Sequence, residues 1–417
     1  VEAALQAKIR EVLRRLRQRR YEPPFLPEPG TPERIVAVFK IGGHGDKMAL
    51  AALAQAVKRE HPDALVLMVS QITGATADFD IGAAVKERGI EVLLLPTIED
   101  KPVLEILRAE CDVVYHMPGY VAAIYRNGDV ANAAKLHYTV PGENSGHQLF
   151  CFYYGFPWSQ RWLTSWQWDL LSLSTGLTVS PWDMCFSDKM PGIDLRRAPE
   201  SVARERAKAS WERARLRGVR RYVVVHNSAG GGGRVKQIPP ATFEAAIRAC
   251  KKAGFRVVQV GRRQEERWPG VIDRRGFRWP ITGRLIREAD AYLGPEGGLA
   301  YLAALFGTPA FIFFGPTPRS VFDFPNNVRV NTQDKCSPCW WSAPGWAHRC
   351  RRGYEWCQNM PSPQEIEQRL AEILPTLPPA RERTAERGAK GPTGVSTDGR
   401  RQGCEERHGA GAVPVRA

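Results

Sequence analysis

The chain has 417 residues, 43% of them hydrophobic, and a formal charge of +15. That length fills two domains with full cores, while no apolar run is long enough to span a bilayer and no apolar signal core opens the chain, so a cytoplasmic protein is expected. The basic residues are spread along the sequence with no helix-turn-helix or finger spacing, which argues against nucleic acid and leaves phosphorylated substrates or an anionic membrane surface as partners for the charge.

Residues 1–20 place Leu5, Ile9, Val12, Leu13 and Leu16 on one face of a basic helix. Such a face packs on its own domain or lies on an anionic membrane. A Pro-rich linker completes residues 1–33. Arg34–Lys40 is then a β-branched strand that runs into Gly42-Gly43-His44-Gly45-Asp46, followed by a helical pattern from Met48. Ala64–Ser70, Glu91–Pro96 and Asp112–His116 repeat the strand pattern with helical stretches between, the signature of a parallel sheet covered on both faces. From Leu136 to Met190 the chain is rich in aromatics, including Trp158, Trp162, Trp166 and Trp168; these line a groove or fill an irregular core.

Ser201–Arg221 reads as a charged connecting helix. Strand, glycine loop and helix then recur. Tyr222–Asn227 leads into Gly230, Gly231, Gly232, Gly233, Arg234 and Lys236, with a helix at Thr242–Ala253 and a strand at Phe255–Gly261. An apolar approach from Ala291 ends at Gly294-Pro295-Glu296-Gly297-Gly298, a small-residue helix runs to Phe306, and Ala310–Phe314 is a buried strand. Glycines there let backbone approach a ligand closely, the helix N-terminus offers unpaired N–H groups, and Glu296 is placed to accept hydroxyls, a combination suited to a sugar nucleotide. Walker and dinucleotide glycine patterns are both absent, which disfavours those ligands. A helix at Pro363–Leu374 closes the fold, and 377–417, poor in apolar residues, reads as a disordered tail. The domains expected are 34–200, which includes the aromatic insertion, and 201–376, two similar α/β units facing across a cleft.

Nine cysteines are too few for a disulfide scaffold. Cys336, Cys339, Cys350 and Cys357 lie close together in sequence, and Cys336-Ser337-Pro338-Cys339 has the turn chemistry of a ligand pair, with Cys350 and Cys357 able to supply the second. Four thiolates suit a structural zinc or iron ion.

With both glycine loops and the segment Glu296–Thr317 in view, the chain resembles glycosyltransferase family 9, the ADP-heptose:lipopolysaccharide heptosyltransferases, over Arg34 to Leu374. Gly42–Asp46 looks like the family's Gly-Asp motif, His226–Pro239 like its glycine stretch and Lys-x-x-Pro, and Glu296–Thr317 like its Asp-Thr-Gly-Pro-Leu-His-Leu-Ala-Ala segment closing on Phe-Gly-Pro-Thr. Glu296 stands where the family carries Asp, and Tyr301 where it carries His. Clustered cysteines, some holding iron, also occur in parts of the family. The resemblance implies two Rossmann-like domains in the GT-B arrangement, with a glycan or protein acceptor on the N-terminal half and the nucleotide sugar, ADP-heptose, on the C-terminal half. It implies donor contacts from Gly230–Gly233, Arg234, Glu296, Gly297, Gly298, Tyr301 and Thr317. The acceptor-side loop is Gly42, Gly43, His44 and Gly45.

An inverting transfer needs a base for the acceptor hydroxyl and cations for the leaving diphosphate. Asp46 is the expected base and Lys236 the expected cation, with no cofactor required. Asp46 also reads as a helix cap, and His44 is an alternative base. A nucleotide-sugar epimerase of the same architecture, or a metal-containing nucleic-acid-binding protein, are the rival readings.

Overall fold

Ile35–Lys40 forms β1, buried along its whole length, as an unbroken apolar run predicts for the centre of a parallel sheet. The computed structural model describes residues 7, 9–14, 34–40, 42–72, 75–95, 100–117, 122–130, 167–184, 212–228, 234–330, 336, 339, 349–350 and 352–380. After β1 come helix α2 (His44–Glu60), β2 (Leu65–Gln71), α3 (Ala75–Lys86), β3 (Glu91–Leu95), α4 (Asp100–Glu110) and β4 (Val113–His116). Val36 pairs with Val66 on one side and Val113 on the other, both in parallel. A hairpin not expected from the sequence follows, β5 (Ala123–Arg126) and β6 (Asp129–Val130). Its turn is Asn127-Gly128, with φ of 49° and 85°. That dipeptide is a strong hairpin signal, masked here by the shortness of the strands.

The hairpin runs antiparallel to β4, so the first sheet is mixed and not parallel throughout as expected, whereas the second half is parallel in every pair. It runs β7 (Tyr222–Val225), α6 (Pro240–Lys252), β8 (Arg256–Gln259), β9 (Ile272–Asp273), α7 (Trp279–Glu288), β10 (Ala291–Pro295), α8 (Gly298–Phe306), β11 (Ala310–Phe313), α9 (Arg319–Phe322), β12 (Asn327–Arg329) and α10 (Pro363–Ile373). The sheets are ordered β3-β2-β1-β4-β5-β6 and β12-β11-β10-β7-β8-β9. Each half is therefore the doubly-wound order in which strand succession reverses beside the first strand. Ala291–Pro295 is a strand rather than a mere approach to a loop. Paired to β7 and β11 on its two sides, it overrides the poor strand propensity of Gly294-Pro295.

The halves do more than face each other. One apolar cluster runs from Val36, Leu53 and Trp168 in the first to Tyr301, Leu302 and Phe324 in the second. Two further clusters fill the outer face of each sheet. Helix α1, described at 9–14, turns Ile9 and Leu13 into the outer cluster of the first sheet, and Arg10 pairs with Glu110 at 3.1 Å. Those two residues of the apolar face are spent on the protein's own core, not on a membrane; Leu5 and Leu16 lie outside the described residues. Because Leu13 is fully buried, Leu13→Ala should cost about 2–5 kcal/mol in a urea titration. A loss below about 1 kcal/mol would place this helix outside the cooperative core.

Of the aromatic stretch, α5 (Gln167–Thr175) and a 3-10 turn at Pro181–Asp183 are described. Trp168 is buried in the shared cluster, the core reading; Trp158, Trp162 and Trp166 lie outside the described residues. The connecting helix stops at 214, short of Arg221: Gly218 takes φ 72° and Glu212 draws Arg217 back to 2.9 Å. Residues 377–380 belong to the domain, since Ala380 N–H and Arg221 Nε both reach Asp290, and Arg221 Nη2 also holds Leu377 O. The rest of the expected tail, 381–417, lies outside the described residues. Among the described residues no helix is long and apolar enough to cross a membrane.

Candidate functional site

Ligands of doubly-wound sheets collect outside the strand carboxyl ends where the order reverses, here between β1 and β4 and between β7 and β10. The first of these points carries Gly42 to Asp46. Gly43 is the N-cap of α2 and Asp46 its third residue, whose Oδ2 accepts the Gly43 N–H at 2.9 Å. A side chain at Gly42 would meet Asp46 Cβ and Oδ2 at 2.6 Å, so the carboxylate folds back over a glycine by necessity. The other oxygen, Oδ1, lies 3.5 Å from Lys40 Nζ, and that ammonium also donates to Met117 O at 3.3 Å. Lys40 is only 4% exposed. Asp46 thus combines the cap with a carboxylate held beside a buried cation. Beyond it, His116 is enclosed against Phe39, and burial followed by the charge of Lys40 lowers its pKa to about 3, so it stays neutral.

At the second point Lys236 Nζ and Glu296 Oε2 form an ion pair at 2.9 Å. The contact is not aligned as a hydrogen bond, and Glu296 Oε2 and Thr317 Oγ1 are both buried without a hydrogen-bond partner. Glu296 is 8% exposed and Thr317 2%. Buried polar atoms left so cost free energy unless something else satisfies them, and these two stand at adjacent strand ends. Just after β7, His226 Nε2 is 3.3 Å from Glu265 Oε2. Burial works to raise that carboxyl, but the bond and charge of His226 outweigh it and hold the group below the usual range. Arg234 Nη1 pairs with Glu355, and its guanidinium lies 5.7 Å over the Trp356 ring. Gly230, Gly231, Gly232 and Gly233 lie outside the described residues.

The two loops meet. A side chain at Gly298 would stand 3.0 Å from Trp279, 3.3 Å from His44 Cβ and 3.5 Å from Gly45 N; one at Gly45 would stand 3.1 Å from the Tyr301 ring. His44 packs on Trp279 with ring centres 4.6 Å apart. Gly297 caps α8 at φ 158°. Tyr301 is buried in the junction, its hydroxyl donating to Gln167 Oε1 at 2.8 Å, so in this state it joins the domains.

No protein-family model matches the chain, and no curated protein matches it. Solved structures do. The chain is similar to the dodecameric iron-containing heptosyltransferase TibC of enterotoxigenic E. coli, in complex with ADP-D-beta-D-heptose, at 16% identity over 85% of this chain and 76% of that one, with a TM-score of 0.46. It is similar to E. coli ADP-heptose lps heptosyltransferase II at 13% identity over 82% and 98%, TM-score 0.47. A glycosyl transferase family 9 structure from Veillonella parvula gives 14% identity over 82% and 98%, TM-score 0.46.

The cysteine segment packs beside the second loop. Cys339 N–H donates to Pro316 O at 3.1 Å, and Asn359 Nδ2 to Phe314 O at 3.0 Å. Burial pushes the Cys357 thiol up to about 12, with Cys336, Cys339 and Cys350 near enough to add to the rise. Four thiolates are soft donors of the kind that suit zinc or iron by chemistry. Among the described residues, however, no three His, Cys, Asp or Glu side chains are drawn into a ligating shell.

Sequence reasoning did not single out Lys40, Gln167, Asn227 or the His226–Glu265 pair. A lysine closing an otherwise apolar strand and a polar pair ending YVVVHN were the available signals. For Gln167 there was none, because its partner is 134 residues away.

Proposed function

We propose that the chain is a glycosyltransferase that moves a sugar, heptose from ADP-heptose being the expected case, to a hydroxyl of a glycan or protein acceptor by one inverting displacement. The observation that carries this reading is the meeting of two reversal points, one bearing a carboxylate and the other a lysine beside two buried oxygens that accept no hydrogen bond. The acceptor belongs on 34–200 and the donor on 201–376. Asp46 takes the proton from the acceptor hydroxyl as its oxygen attacks the anomeric carbon. Lys236 meets the charge growing on the departing diphosphate, and Glu296 and Thr317 meet donor hydroxyls. Entry of the diphosphate exchanges one partner of Lys236 for another, which keeps its cation paired throughout.

Mass spectrometry of the purified protein with a panel of nucleotide sugars tests this. Release of ADP from ADP-heptose is expected, even without acceptor and at a low rate. Return of an epimerised sugar still joined to its nucleotide would make the protein an epimerase, and no turnover of any donor would overturn the proposal.

We also propose that Cys336, Cys339, Cys350 and Cys357 hold one structural zinc or iron ion, with no part in the transfer. Protein purified under reducing conditions should contain about one equivalent of metal. Trace amounts of both would remove the site.

A further inference from the structure

The segment from Asn227 to Ile238 carries the four glycines and Lys236. Its two ends are tied by one side chain. Ile238 N–H donates to Asn227 Oδ1 at 2.7 Å, and Asn227 Nδ2 donates to Ile238 O at 2.8 Å. Asn227 thereby satisfies both backbone groups of a residue eleven positions away. Ile238 itself is fully buried in the outer core of the second sheet, and Val235 is buried at 2% exposure. Between them the turn at Arg234–Lys236 is closed by Gln237 N–H to Arg234 O at 3.0 Å. Lys236 stands two residues before the tied end, where its ammonium reaches Glu296 across the strand ends.

A cation on an untethered loop must be ordered by each ligand it meets, at the expense of affinity. One on a loop already closed at its base does not. We propose that Asn227 is the positioning residue for Lys236: its two bonds to Ile238 fix the chain two residues beyond the lysine, so that the ammonium is held toward the strand ends before the diphosphate arrives. The inference rests on the reading of Lys236 given above. Asn227 touches no substrate in this account and acts only through the loop.

A double-mutant cycle on the full chain separates this from a merely structural role, using ADP as the probe and calorimetric titration as the readout. Lys236→Ala and Asn227→Ala should each weaken ADP binding by roughly tenfold, and the double variant should bind within about twofold of Lys236→Ala alone, because the clamp has nothing left to position. Effects that add in the double variant, or an Asn227→Ala protein with the parent's affinity, would overturn the positioning role and leave the proposed function standing. Unchanged affinity in Lys236→Ala would overturn the diphosphate assignment and this inference with it. Thermal melting of all four proteins ensures that each is folded at the titration temperature. If Asn227→Ala does not fold, Asn227→Gln, which keeps the amide but displaces it by a methylene, takes its place with the same outcomes.

Discussion

Asp46→Asn should lower turnover by roughly 10² to 10⁴ while leaving donor affinity nearly unchanged, the usual cost of losing a positioned base. The geometry makes this substitution informative. Asp46 Oδ2 accepts the Gly43 N–H at 2.9 Å, and an asparagine oxygen in the same place accepts it equally, so the start of α2 survives. What the amide cannot do is take a proton. It also cannot balance Lys40, whose ammonium lies 3.5 Å from Oδ1 in a nearly closed site, so some loss of melting temperature accompanies the loss of rate. Turnover must therefore be measured where both proteins are folded. Were Asp46 a cap and counter-charge only, the rate would stay within a few-fold of the parent. In that case His44, the first residue of α2, is the next base to test.

Lys236→Ala should behave differently, with donor affinity and turnover both falling, by roughly 10- to 100-fold in affinity, the range for one charge-assisted contact. The diphosphate is charged in the ground state as well as the transition state, so the lost cation is felt in binding and not in rate alone. The ligand-free protein is affected too. Glu296 is nearly buried and Lys236 is its ion-pair partner at 2.9 Å, so the alanine leaves a carboxylate without its cation. Adding Glu296→Gln to Lys236→Ala should restore melting temperature without restoring affinity. Recovery of both would show that the lysine serves the carboxylate and not the donor. Parental affinity in the single variant would remove it from the donor site.

The central strands and the helices that follow the glycine loops were legible in the sequence, because their signals are local. IVAVFK and YVVV are runs of strand length, and Gly42-Gly43 and Gly230–Gly233 follow them with glycines that neither strand nor helix interiors favour. Short pieces such as β6, β9 and β12 were not legible, since two or three residues hold no period and become strands only when a neighbour supplies the ladder. The same division runs through the site. Asp46, Lys236, Glu296 and Thr317 stand in or just after glycine-bearing segments that follow strands, where a sequence announces chemistry. Their partners are set by how the chain returns on itself. Lys40 meets Asp46 because Gly42 lets the carboxylate fold back, and Lys236 meets Glu296 because β7 and β10 are neighbours in the sheet though far apart in the chain. Gln167 meets Tyr301 only because the two halves share a core. Periodicity records which face of an element is buried and says nothing of what covers it; that the halves are joined by a common cluster, and not merely set across a cleft, was decided by tertiary packing alone.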